Sequence, residues 1–183
     1  MKANLSTKEE NRQILLCNTN RNAKYFLETI KHRDNGKYKK IPNFLIKKTG
    51  EVINLHNNDV TSFFLPGFKI ERGVVVVSLE NDGWLKRRTS DGKYVNWLGD
   101  IYDSKVSEKK WRGKLFWDQY TDKQIKETSK VVGKICKKYR IPRTSTGHNV
   151  FMEDVEYFKG VVSRSNYNEY WTDINPTFNF ELI

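Results

Sequence analysis

The stretch Val74-Val75-Val76-Val77-Ser78-Leu79-Glu80 carries the strongest strand signal in the chain. Its four successive valines show no alternation of polar and apolar residues, a pattern typical of a strand that is buried on both faces. We therefore expect a central strand in a sheet that is covered on both sides. A second apolar run, Gln13-Ile14-Leu15-Leu16-Cys17, is too short for a stable helix and predicts another buried strand.

Two helices are predicted from their capping residues and periodicity. Asn22 can cap a helix over residues 23–31, in which Tyr25, Phe26 and Ile30 share an apolar face. Thr121 opens a longer helix, with Gln124 three residues on, as in a capping box. That helix is expected to stop before Pro142.

The remaining segments complete a fold prediction. Residues 43–46 and 51–55 form a hairpin pattern around a turn at Gly50. Residues 81–120 hold four of the five tryptophans and are predicted to be mostly irregular, held by aromatic packing. We expect a flexible lead-in over residues 1–12 and, over residues 13–183, one α/β domain with a central mixed sheet flanked by helices.

Charge and composition limit the function classes. Lys and Arg number 33 against 22 Asp and Glu, a net charge of +11 that favours nucleic acid, anionic lipid or an anionic cell-wall polymer as partner. No apolar run approaches 18 residues, so no membrane span is expected. The N-terminus has no apolar stretch typical of a secretory signal, and two cysteines indicate a reducing compartment. The compact signatures of nucleic-acid-binding domains are absent, which makes a basic nucleic-acid-binding protein the weaker alternative.

The order of the segments resembles the type-2 N-acetylmuramoyl-L-alanine amidases, whose fold is shared with peptidoglycan recognition proteins and many bacteriophage lysins. The resemblance covers roughly residues 13–180 and depends on the order and spacing of several motifs. These are Ile14-Leu15-Leu16-Cys17-Asn18-Thr19, the hairpin, Val77-Ser78-Leu79-Glu80-Asn81-Asp82-Gly83, the helix ending at Tyr139-Arg140-Ile141-Pro142, Gly147-His148-Asn149, and Thr172-Asp173-Ile174-Asn175-Pro176-Thr177-Phe178.

The resemblance implies a zinc-dependent hydrolase of the amide bond between N-acetylmuramic acid and L-alanine. Cys17, His148 and Asp173 fall at the metal-ligand positions, and three protein ligands plus water form an open catalytic zinc site. Such a zinc ion would lower the pKa of its bound water to about 7. Glu80 falls near the position of the catalytic glutamate, as general base or water orienter, although a two-residue register slip would put Ser78 there instead. Arg164 could stabilise the oxyanion.

Other residues depart from the pattern of that family. Cys17 stands where a histidine is usual, Pro42-Asn43 replaces a Tyr-His pair, and Trp171 replaces a lysine. These departures keep an alternative open, in which the chain is a catalytically inactive binding module or a structural component of a virion. In that alternative Cys17 is a buried strand thiol and Glu80 is a carboxylate that accepts hydrogen bonds from backbone N–H groups.

The expected ligand of this fold is peptidoglycan. The candidate substrate-binding residues are Trp84, Asn149, Asn166 and Trp171, although core packing is an alternative for either tryptophan. Basic runs, including Lys109-Lys110-Trp111-Arg112, could follow a phosphate-bearing or teichoic-type polymer. The net positive charge is typical of a phage-encoded lysin. Such a lysin would be made in the host cytoplasm without a signal peptide and would act at the wall after release or within a virion.

Overall fold

The computed structural model describes residues 11–57 and 61–183, so nearly all of the predicted lead-in lies outside the described residues. The bounds of its helices and strands follow in chain order. They are β1 (Gln13–Asn18), α1 (Ala23–His32), β2 (Phe44–Ile46), β3 (Val52–Asn54), β4 (Val74–Leu79), β5 (Trp84–Arg87), β6 (Tyr94–Val95), β7 (Ile101–Tyr102), β8 (Val106–Trp111), β9 (Lys114–Asp118), α2 (Asp122–Tyr139) and β10 (Gly160–Ser163).

The central sheet is mixed and has the strand order β10-β1-β4-β2-β3. Four of its strands run parallel, and β3 is antiparallel because it returns from β2 through the hairpin turn at Gly50. All six residues of β4 are buried, as are all six of β1. The predictions of a central valine strand, a neighbouring apolar strand and the hairpin are therefore confirmed.

The two faces of this sheet are covered by different elements. Ile14 and Leu16 of β1 pack in one apolar cluster with the buried face of α2. Leu15 and Cys17 point the other way, because side chains alternate along a strand, and pack in a second cluster with the segment around Phe64. On that same face α1 packs over Leu45 of β2. The predicted α/β architecture, a mixed sheet flanked by helices, is confirmed.

Both helices begin at the predicted caps. The side chain of Asn22 accepts a hydrogen bond from the backbone N of Lys24 at 2.8 Å, and Thr121 accepts one from the backbone N of Gln124 at 3.1 Å. The second half of the capping box does not form, because the Gln124 side chain donates to the carbonyls of Ile46 and Glu80 instead. The prediction that Tyr25 shares the apolar face of α1 is wrong, since its side chain is 58% exposed.

Residues 81–120, predicted to be irregular, instead form a second sheet with the order β7-β6-β5-β9-β8, in which every pair is antiparallel. Two of its strands have only two residues, too short for a periodic pattern to show in the sequence. Trp117 is fully buried in this region, and its ring centroid lies 5.4 Å from that of Trp111. Among the described residues, no helix is long and apolar enough to cross a membrane.

Candidate functional site

The candidate site lies at the carboxyl edge of the central sheet, where β1, β4 and β10 end. Cys17 near the end of β1 is in register with Ser78 of β4. On the other side of β1, Leu16 is in register with Ser163, the last residue of β10, and Arg164 follows directly. Parallel neighbouring strands end at the same edge of a sheet, so the fold brings a thiol and a guanidinium together from opposite ends of the chain.

The Cys17 thiol is fully buried within the apolar cluster on this face. Its Sγ lies 2.9 Å from the Oγ of Ser78. Burial, followed by the negative charge of Asp173, raises the pKa of Cys17 from 9.0 to about 12. The thiol therefore holds its proton at pH 7, and a metal ion would have to displace that proton, since cysteine binds zinc as a thiolate.

The Asp173 carboxylate is buried and forms an ion pair with Arg164. The Nη1 of Arg164 lies 3.3 Å from Oδ2 and 3.4 Å from Oδ1 of Asp173. Burial alone would lower the pKa of Arg164, but the charge of the neighbouring Asp173 carboxylate raises it overall, so the guanidinium stays charged. The guanidinium carbon also lies 4.2 Å from the ring centroid of Trp171. A permanent positive charge is thus held next to the carboxylate by a cation–π contact and an ion pair.

The donor set at this edge does not fit a zinc ion. Within residues 11–57 and 61–183, no group of three or more His, Cys, Asp or Glu side chains could hold a metal ion. Cys17, His148 and Asp173, the ligands that the resemblance implies, therefore do not assemble into a metal-binding group. The surroundings of Asp173 agree with this, because its charge is already balanced by Arg164.

His148 lies on an exposed loop. Its Nδ1 accepts a hydrogen bond from the backbone N of Val150 at 3.2 Å, and its carbonyl accepts from the side chains of Thr146 and Asn166. The strand that pairs with β1 is β10, which comes twelve residues after His148. The residue that follows this strand, and so stands beside Cys17, is Arg164.

Glu80 uses both carboxylate oxygens to join backbone segments. Oε1 accepts a hydrogen bond from the N of Ala23, the first residue of α1, and Oε2 accepts from the N of Lys48, each at 2.9 Å. A carboxylate at a helix N-terminus is stabilised by the helix dipole. This is the arrangement of the alternative in which Glu80 bonds backbone N–H groups. Glu80 also lines a pocket of about 250 Å³, together with Tyr25 and Tyr102.

The two candidate asparagines hold loops in place. Asn166 is fully buried, its Oδ1 accepts from the N of Ser163 at 2.7 Å, and its Nδ2 donates to the carbonyl of Val150 at 2.7 Å. Asn149 is half-buried and donates to the carbonyl of Ile174 at 2.9 Å. Both amides are engaged within the protein, so a positioning role fits this geometry better than contact with a substrate.

The two candidate tryptophans are half-buried, and each lies under a cation. The Nζ of Lys114 is 4.0 Å from the ring centroid of Trp84. The Trp171 ring lies under Arg164 and meets the ring of Phe68 edge to face at 6.4 Å. Trp171 is therefore the candidate ligand-contacting residue that adjoins the Cys17 edge.

One residue that organises the site, Arg112, had been assigned only to a basic run. It lies in the turn between β8 and β9 with a positive φ of 47°. Its guanidinium donates to backbone carbonyls on the loops that surround Arg164, those of Asn149, Ser165, Asn168 and Trp171. Arg112 therefore ties the second sheet to these loops, a long-range contact for which the sequence offers no signal.

A second buried polar cluster, also missed from the sequence, joins the two sheets at Asp118. The Nζ of Lys48 lies 2.7 Å from its carboxylate, and the Tyr102 hydroxyl and the backbone N of Asp82 also donate to it. Burial raises the pKa of Asp118 despite the charge of Lys48. Its partners are all internal, so this cluster fixes the second sheet against the hairpin.

Comparisons with known proteins identify the fold. No protein-family model and no curated protein matches the sequence. Solved structures do match. The amidase AmiD from E. coli, in complex with the substrate anhydro-N-acetylmuramic acid-L-Ala-D-gamma-Glu-L-Lys, has a TM-score of 0.62 at 12% identity, over 99% of this chain and 58% of that chain.

Two further structures agree. AmpDh3 from Pseudomonas aeruginosa, in complex with anhydromuramic pentapeptide, has a TM-score of 0.57 at 11% identity, over 97% of this chain and 60% of that chain. The N-acetylmuramoyl-L-alanine amidase LysC from Clostridium intestinale has a TM-score of 0.54 at 12% identity, over 98% and 90%. The chain thus spans about three-fifths of AmiD and AmpDh3 and most of LysC. The protein has the mixed α/β fold of the N-acetylmuramoyl-L-alanine amidases.

Proposed function

We propose that this protein is an amidase-fold module that binds peptidoglycan fragments at the bacterial cell wall and does not hydrolyse them with zinc. The observation that carries the proposal is the buried Arg164–Asp173 ion pair at the end of β10, beside Cys17. A fixed positive charge thus stands in the neighbourhood where the resemblance implies a metal ion.

A guanidinium and a zinc ion differ in what they can do. Arg164 can attract and hydrogen-bond an anionic group, but it has no open coordination position and cannot activate a water molecule as a Lewis acid does. The Nε of Arg164 is buried and has no hydrogen-bond partner among the described residues.

The ligand class follows from the structural neighbours. AmiD and AmpDh3 were solved with muramyl peptides, ligands that carry carboxylates and a sugar ring. In this chain Arg164 would receive a carboxylate, and the half-buried Trp171 ring would contact the sugar or peptide. A role as a structural component of a phage virion that contacts the wall is part of the same proposal.

Sedimentation with purified peptidoglycan, together with a digestion assay, tests this function. The wall used is stripped of phosphate polymers, and both assays are run with added zinc and with chelator. We expect the protein to sediment with the wall equally in both conditions and to release no new L-alanine N-termini. Release of such termini that depends on zinc would replace the proposal by the hydrolase that the sequence motifs imply.

Three variants test whether binding to the wall depends on the positive charge of Arg164. Arg164→Gln is expected to lose at least ten-fold in wall affinity, whereas Arg164→Lys keeps the charge and retains part of it. Arg87→Gln, on an exposed position of the second sheet, is the matched control and is expected to bind as the unaltered protein does. Equal binding by all three variants would overturn the role of Arg164.

A further inference from the structure

The solvent-facing side of α2 carries a row of lysines. Six of its eighteen residues are lysine, and at 100° per residue all six fall within an arc of about 120°. We call this row the lysine ridge, and it consists of Lys123, Lys126, Lys130, Lys134, Lys137 and Lys138.

The structure places every member of the lysine ridge in solvent. The opposite side of α2 is buried against the central sheet through residues such as Val132 and Ile135. The arc contains one acidic residue, Glu127, which pairs with Lys130 at 2.6 Å. Since Glu127 is the one acidic residue of α2 on this arc, the ridge carries a net positive charge, and like charges this close repel one another.

The ridge has the dimensions of an extended polymer segment. From Lys123 to Lys138 the axis rises about 22 Å, at 1.5 Å per residue. Lysine ammonium groups act as hydrated point charges on flexible stems, so they attract phosphates without fixing the orientation of the ligand. The surface therefore fits a flexible chain that carries a negative charge at regular intervals.

We propose that the lysine ridge binds a linear phosphodiester polymer of the bacterial cell wall, of the poly(glycerol phosphate) class. The choice of a wall polymer depends on the proposed function. The ridge itself favours it over nucleic acid, because it consists of lysines and contains no arginine fork for bidentate contacts with phosphates or bases.

The ridge is independent of the Arg164 site. α2 covers the face of the central sheet opposite to that of Cys17. A variant of the ridge therefore leaves Arg164 and Asp173 unchanged. Soluble poly(glycerol phosphate) tests the ridge, whereas stripped peptidoglycan tests the Arg164 site, so the two proposals can fail separately.

The experiment measures the affinity of the full chain for soluble poly(glycerol phosphate) at 50 to 300 mM salt. The ridge variant replaces four lysines by glutamine, which has a similar helix propensity. Its substitutions are Lys126→Gln, Lys130→Gln, Lys134→Gln and Lys137→Gln. The control removes the same charge from exposed positions elsewhere, through Lys37→Gln, Lys86→Gln, Lys105→Gln and Lys110→Gln.

We expect the ridge variant to bind at least ten-fold more weakly than the control at 150 mM salt, and its affinity to depend less on salt. Each lost phosphate contact should reduce the slope of log affinity against log salt concentration by roughly 0.7, the value for a single-stranded nucleic acid. Equal losses in the two variants, or no binding by the unaltered protein, would overturn the proposal. So would tighter, ridge-dependent binding of single- or double-stranded DNA, which would assign the surface to nucleic acid. Thermal unfolding of both variants confirms that they are folded.

Discussion

The carboxyl edge of the central sheet and the lysine ridge of α2 both contain ion pairs, but they use charge in opposite ways. The exposed Lys130–Glu127 pair is the shorter at 2.6 Å, and the buried Arg164–Asp173 pair spans 3.3 Å. Solvent screens the first pair and not the second. We therefore expect the fold to depend on the buried Arg164–Asp173 pair, whereas the exposed charges of the lysine ridge can attract a polymer.

Removal of one partner from the buried pair should have the largest effect on stability. Asp173→Ala leaves the Arg164 guanidinium buried without a counter-charge, a change that costs about 3–5 kcal/mol in the free energy of unfolding. Urea denaturation measures this loss. The double variant Arg164→Met with Asp173→Leu is the control and should recover most of it. A loss below about 1 kcal/mol for Asp173→Ala would show that the pair is solvated.

The Cys17 thiol gives a pH dependence of intermediate size. Its pKa is about 12 in the folded protein against 9.0 ordinarily. Below pH 9 the thiol is protonated in both the folded and the unfolded protein, so Cys17 does not make the free energy of unfolding depend on pH. Between pH 9 and 12 only the unfolded state loses this proton, so stability falls as pH rises. At pH 10 the loss of stability from Cys17 amounts to roughly 1 kcal/mol.

The contribution of Cys17 is isolated by comparison with Cys17→Ala, since tyrosines and lysines also titrate in this range. The difference in the free energy of unfolding between the two proteins should narrow by roughly 1 kcal/mol from pH 8 to pH 10. A difference that stays constant with pH would mean that the thiol is not desolvated.

The smallest effect is expected on the lysine ridge. Lys130→Gln removes the exposed pair with Glu127 and should change the free energy of unfolding by no more than about 0.5 kcal/mol. The same measurement in 1 M salt should reduce even this difference, because the screening length falls to about 3 Å. A loss above 1 kcal/mol in the free energy of unfolding would show that this exposed pair stabilises the fold as a buried pair does.

Local signals allowed much of the fold to be predicted. The valines of β4, the cap at Asn22 and the cap at Thr121 each determine structure through near neighbours in the sequence, and all three predictions are confirmed. The second sheet was missed because its shortest strands, β6 and β7, have two residues each. Strands of that length are stabilised by their partners, which a single sequence does not identify.

The candidate site was harder to predict for a related reason. Cys17 and Asp173 lie in short motifs, but the position of Arg164 beside them depends on the pairing of β10 with β1, about 145 residues away along the chain. His148 has a sequence context that resembles a metal-binding loop, yet its loop precedes the strand that reaches the site. Motif order therefore predicted the fold, whereas strand register decides which side chains meet.

Calorimetric titration with a muramyl tripeptide in excess chelator tests whether Arg164, and not a metal ion, supplies the positive charge of the site. If Arg164 supplies the positive charge of the site, the unaltered protein binds the tripeptide with the same affinity with and without chelator, and Arg164→Gln binds at least ten-fold more weakly. Binding that requires added zinc, or binding that Arg164→Gln leaves unchanged, would contradict the account.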